Sequence, residues 1–192
     1  MAPLTMAKAL IIVDVQPTFC EGGSLAVEGG NRVATDIANL ISGNHGYALI
    51  VSTQDWHIDP GDHFAEDPDF VNSWPPHGVA GSPEAALHPE LVKVAHRIDQ
   101  EVRKGQYAAA YSGFEGDTDD GTPLVTVLRN AEVTEVDVVG LAFDHCVRAT
   151  ALDAIREGLA TQVLLNLTAS VANETALSAR RELQEAGVVL ED

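Results

Sequence analysis

The run Lys8–Val15, KALIIVDV, restricts the possible folds more than any other segment. It is short, β-branched and apolar, with no polar alternation, as in a strand covered on both faces. Such a strand belongs in a parallel sheet, whose neighbours need long crossover connections. The rest of the chain offers them. Arg32–Ile41 places Val33, Ile37, Leu40 and Ile41 at helical spacing. Tyr47–Thr53, Gln100–Lys104, Val136–Leu141, Gln162–Leu167 and Val188–Leu190 read as further strands. Leu124–Leu128 reads as a helix behind Pro123. Asp144–Gly158 reads as another, stacking Val147, Ala151, Ile155 and Leu159. Asn173 is the expected cap of a last helix running to Ala186, with Gly187 as its stop. The expectation is an α/β protein. It would be a three-layer αβα sandwich around a mostly parallel sheet of roughly six strands, in one domain over residues 1–192.

The bulk properties narrow the function classes. At 192 residues and 45% apolar composition, one packed core is expected. No apolar run approaches the ~18 residues of a membrane span, and the opening MAPLTMAKAL lacks a secretion-signal pattern. A formal charge of −18 repels phosphate backbones, so no nucleic-acid partner is expected. Two cysteines, Cys20 and Cys146, suit a reducing cytoplasm better than a disulfide scaffold. Homo-oligomerisation is left open.

In open parallel sheets, ligands collect at the carboxyl ends of the strands. Several chemistry-bearing residues fall there. Cys146 follows a strand and sits in the first turn of the expected helix, where the helix dipole would favour a thiolate and backbone N–H groups could face an oxyanion. It could equally be a small buried apolar residue. Asp14 ends the first strand; it is either a base or a cap. Lys104 ends another; it is either a charge-holding group or a solvated lysine. Together they can deprotonate a thiol and attack a carbonyl. The long segment Asp55–Pro89 carries Asp55, His57, His63 and His77 in D-W-H-I-D-P-G-D-H and W-P-P-H. This mixed N/O set suits zinc, iron or manganese, though spacing alone does not decide between a metal site and chance. His45, His88 and His96 read as structural or surface residues.

The segments ALIIVDVQPTFC, STQDWH, GDHF, SWPPH, AYSGFEG and GLAFDHCVRAT, in this order, resemble the nicotinamidase/pyrazinamidase family of isochorismatase-like cysteine hydrolases over nearly the whole chain. The resemblance implies hydrolysis of nicotinamide to nicotinate and ammonia through a cysteine thioester, in NAD salvage. It implies a catalytic triad of Asp14, Lys104 and Cys146, and an oxyanion hole from the backbone N–H groups of Ala142 and Cys146, with a cis peptide before Ala142. It implies one divalent metal ion (Zn, Fe or Mn) on Asp55, His57, His63 and His77. It implies an aromatic pocket of Phe19, Trp74 and Tyr111, with Leu25 and His145 nearby. One departure stands out: Gly78 follows His77 where many relatives carry a second cysteine. Two other readings are a sibling hydrolase acting on another amide or a vinyl ether, and a metal-binding protein without turnover.

Overall fold

The computed structural model describes residues 7–192. Its seven-stranded sheet comprises β1 (Ala7–Val13), β2 (Leu49–Asp55), β3 (Gln100–Lys104), β4 (Asp117–Thr118), β5 (Val133–Leu141), β6 (Ala160–Ala169) and β7 (Val189–Glu191). The order is β4-β3-β2-β1-β5-β6-β7. Every pairing is parallel except β3 with β4. The expectation of roughly six strands is corrected to seven. The additional strand, β4, is only two residues long, too short to leave a hydrophobic pattern.

β1 lies between β2 and β5, and Ala9–Val13 are completely buried. Its side chains alternate between two cores. Ala9, Ile11 and Val13 join the core under α3 (Leu124–Asn130), α4 (Arg148–Arg156) and α5 (Asn173–Glu185). Leu10 and Ile12 join the core under α1 (Gly30–Ser42) and α2 (Pro89–Val92). Helices on both faces explain why the strand is apolar at every position.

Two helix boundaries differ from expectation. Asp144–Gly158 is not one α-helix: Phe143–Val147 forms a π-type turn, and α4 begins at Arg148. Asn173 does not cap α5. Ala172 holds that position, and the carboxylate of Asp144 accepts the N–H groups of Val171 and Ala172 and the hydroxyl of Thr175. The cap comes from a residue 28 positions upstream of Ala172, a contact that local sequence cannot show.

Strand order reverses at β1, so the crevice between the carboxyl ends of β1 and β5 is the expected ligand position. Gly140, at φ 111, makes this close approach feasible: a Cβ there would lie 2.1 Å from the carbonyl oxygen of Val13. No helix among the described residues is long and apolar enough to cross a membrane.

Candidate active site

Four strand ends converge in this crevice. Asp14 follows β1, Asp55 ends β2, Lys104 ends β3 and Cys146 lies in the turn after β5. Asp14, Asp55, Lys104 and Cys146 are all buried. Lys104 is the hub. Its Nζ lies 2.9 Å from Asp14 Oδ2 and 3.8 Å from Cys146 Sγ. It also donates to Asp55 Oδ1 and to the carbonyl of Ala110, the latter at 3.0 Å. The alternative of a solvated lysine is therefore excluded.

The charges here are unmatched, since two carboxylates share one ammonium. Burial would push the Lys104 ammonium down, but Asp14, Asp55 and Cys146 together hold it well above the usual lysine range. Burial drives the Asp14 carboxyl up against the pull of Lys104, and the charge of Asp55 adds to the rise. For Asp55 burial also acts upward, yet Lys104 and His57 hold its carboxyl far below the usual range. Burial pushes the Cys146 thiol well up; Lys104 opposes this, while Asp14 and Asp55 reinforce it. Burial thus works against the expected thiolate. The two carboxylates already leave a net negative site, and Cys146 lies in a π-type turn rather than the first turn of an α-helix. Asp14, whose proton affinity burial raises, contacts the same ammonium as the sulfur.

His57, His63 and His77 come together as expected, with ligand atoms within 4.8 Å of one another. Asp55 Oδ2 faces His57 Nε2 at 3.5 Å and His77 Nε2 at 3.7 Å. The backbone orients two of the rings. His57 Nδ1 donates to the Gly105 carbonyl at 2.6 Å, and His77 Nδ1 to the Pro75 carbonyl at 2.7 Å. Each Nε2 is thereby left as a lone-pair donor. His57 Nε2 and His63 Nδ1 are buried without a hydrogen-bond partner, an arrangement that a cation would satisfy. Burial lowers the His77 pKa to about 4, against the pull of Asp55, and burial followed by His57 also lowers that of His63. Three imidazoles beside a carboxylate form a ligand set suited to a divalent cation. Gly105, at φ 74, permits the close packing, because a Cβ would meet the His57 ring at 2.6 Å. At Gly78, with φ 51, a Cβ would lie 2.9 Å from that of Asp55, so a side chain there would crowd the Asp55 carboxylate.

The pocket above these groups is lined by all five expected residues, Phe19, Leu25, Trp74, Tyr111 and His145, together with Ala142 and Cys146. Trp74 Nε1 donates to Tyr111 Oη at 3.0 Å, and His145 sits edge-on to Trp74 at 5.4 Å. The Leu141–Ala142 peptide is cis, as expected. Sequence reasoning missed Thr53, whose hydroxyl donates to Asp14 Oδ1 at 2.7 Å. A period-two reading could have found it, since Thr53 and Asp55 share one face of β2. It also missed the Ala110 carbonyl, which as a backbone group leaves no sequence signal.

A doubly covered, mostly parallel sheet with a buried carboxylate, ammonium and thiol at its switch point defines an α/β protein with a candidate cysteine nucleophile at its centre. The chain belongs to the isochorismatase domain family, which it matches over residues 8–192. It is 54% identical over 183 residues to the nicotinamidase/pyrazinamidase of Mycobacterium tuberculosis, covering 95% of this chain and 97% of that protein. It is 34% identical to the Escherichia coli nicotinamidase, covering 95% and 93%. Among solved structures, an L. infantum protein in complex with nicotinate superposes with a TM-score of 0.83 at 36% identity, covering 96% of this chain and 92% of that one. The pyrazinamidase of Pyrococcus horikoshii in complex with zinc superposes with a TM-score of 0.76 at 32% identity, covering 95% and 97%.

Proposed function

We propose that this protein is a nicotinamidase that hydrolyses nicotinamide to nicotinate and ammonia through a thioester on Cys146, a step of NAD salvage in the cytoplasm. The observation that carries this reading is the single ammonium of Lys104 touching Asp14 and reaching Cys146 Sγ beneath an aromatic pocket. The 54% identical relative, a nicotinamidase/pyrazinamidase, supports the choice of substrate.

The planar pyridine ring stacks among Phe19, Trp74 and Tyr111. Asp14 takes the thiol proton as the sulfur attacks the amide carbon. Lys104 offsets the negative charge on the sulfur and carboxylates, and the backbone N–H groups of Ala142 and Cys146 hold the oxyanion. Asp14 then protonates the leaving nitrogen, the C–N bond breaks and ammonia departs. A water molecule attacks the thioester while Asp14 accepts its proton. Asp14 returns that proton to the departing sulfur, releasing nicotinate and restoring the thiol. His57, His63, His77 and Asp55 Oδ2 would hold a zinc, iron or manganese ion. When bound, the ion supplies Lewis acidity and a docking point for the ring-nitrogen lone pair. Pyrazinamide, which keeps a nitrogen in the same place, is a second expected substrate.

The test is ammonia release by the purified protein from nicotinamide, pyrazinamide and benzamide, with metal analysis of the same sample. Turnover of the first two, with benzamide much slower because it has no ring nitrogen, is expected. Turnover of unrelated amides alone, or of none, would contradict the proposal.

A further inference from the structure

β2 extends beyond the point where β1 can support it. Asp14, at φ 48, turns the main chain away after donating its N–H to the Thr53 carbonyl at 3.1 Å. Gln54 and Asp55 continue the strand past that point. On the other edge, β3 still pairs Asp55 with Lys104. On the β1 edge, a side chain stands in for the missing backbone. Gln16 Oε1 accepts the Asp55 N–H at 2.9 Å, and Gln16 Nε2 donates to the Asp55 carbonyl at 2.9 Å. The same Nε2 donates to the Ala85 carbonyl at 2.8 Å. Gln16 is fully buried, so water does not compete for these bonds.

The primary amide thus satisfies both backbone groups of Asp55 on that edge, as a neighbouring strand would. It holds the one strand end whose carboxylate must face two ways, with Asp55 Oδ1 on Lys104 and Oδ2 towards His57 and His77. A rotation of this backbone would move both contacts at once.

We propose that Gln16 is a positioning residue for Asp55, and that it sets the cation affinity of the His57, His63, His77 and Asp55 cluster without touching the ion. This inference rests on the reading that the cluster holds a cation. A purely structural role for Gln16 would be to fasten the segment around Ala85. Gln54 provides the internal comparison, because its Nε2 donates to the same Ala85 carbonyl at 2.9 Å.

The experiment compares full-length wild type, Gln16→Met, Gln54→Met and Gln16→Glu. Zinc affinity is measured by competition with a chromophoric chelator, and thermal unfolding is followed with and without zinc. Gln16→Met should weaken zinc binding about 10–100-fold, the usual effect of removing an outer-shell partner. Gln54→Met should keep the wild-type affinity even where it lowers the melting temperature of the zinc-free protein. Gln16→Glu keeps the shape; burial holds it as the neutral acid, whose one O–H replaces the two amide N–H donors to the Asp55 and Ala85 carbonyls. It should fold and bind zinc less tightly than wild type, which preserves the test should Gln16→Met fail to fold. Wild-type zinc affinity in the Gln16 variants, or equal losses in Gln16→Met and Gln54→Met, would overturn the proposal. A wild-type protein that binds no zinc, iron or manganese would instead remove the metal reading itself, and this inference with it.

Discussion

Both ends of the sheet bury an aspartate beside a lysine, and the two pairs are built differently. At the amino end, Asp137 on β5 meets Lys8 Nζ at 2.6 Å and the Tyr47 hydroxyl at 2.6 Å. One negative charge faces one positive charge, and the Lys8 side chain is 34% exposed. Burial and the hydrogen bond to Asp137 hold the Tyr47 phenol protonated far above its usual range. At the carboxyl end, one fully buried ammonium serves two carboxylates and a thiol. An ion pair that only fastens a fold can be matched and half in water. A pair that works is left short of one positive charge, so a proton has somewhere to go.

Five substitutions sharpen this contrast. Asp14→Asn should cut nicotinamide turnover about 10²–10⁴-fold, the usual contribution of a general base, while the folded state persists because a buried charge has been removed. Ammonia assays and thermal melts on one preparation would show both. Lys104→Met strands two buried carboxylates and should cost about 3–5 kcal/mol of stability. Lys8→Met leaves one buried carboxylate that keeps its Tyr47 hydrogen bond, and should cost less, about 1–3 kcal/mol. Urea unfolding of the two variants side by side measures the difference, and comparable losses would erase the distinction.

Acid should act through the histidines. His77 is buried as the neutral ring with a pKa of about 4, below its usual value of 6.5. Between those two values the unfolded chain binds the proton that the folded one refuses. Stability of the metal-free protein is therefore full above pH 6.5 and falls as the pH drops towards 4. The loss is at most a few kcal/mol at about 1.4 kcal/mol per unit. His77→Gln should flatten that part of a pH–stability curve. The smallest effect on turnover is expected at the amino end. Asp137→Asn weakens the Lys8 and Tyr47 contacts and should cost about 1–3 kcal/mol, with kcat/KM for nicotinamide unchanged. A drop in activity there would mean that the two ends are coupled.

The parallel sheet was legible because Lys8–Val15 has no polar alternation, and a strand apolar on both faces has few other homes. Asp14, Lys104, Cys146 and the three histidines could be picked out because each falls at a strand end or in the long segment after β2. The features that escaped reading all depend on distant partners. Asp144 caps α5 from across the molecule. Gln16 completes a ladder with Asp55 across 39 positions, and Thr53 steadies Asp14 across the same separation. The environment of Cys146 is likewise set from a distance: its local turn favours an ionised sulfur, whereas burial, reinforced by the carboxylates of Asp14 and Asp55, pushes the thiol up.

The most direct measurement is nicotinamide turnover by Cys146→Ala. That variant removes the sulfur and leaves Asp14, Lys104 and the histidines in place. The mechanism predicts loss of ammonia release by several orders of magnitude, on the scale seen when a catalytic nucleophile is deleted, with melting temperature and metal content retained. Turnover near the wild-type rate in a folded, metal-bearing Cys146→Ala protein would contradict it.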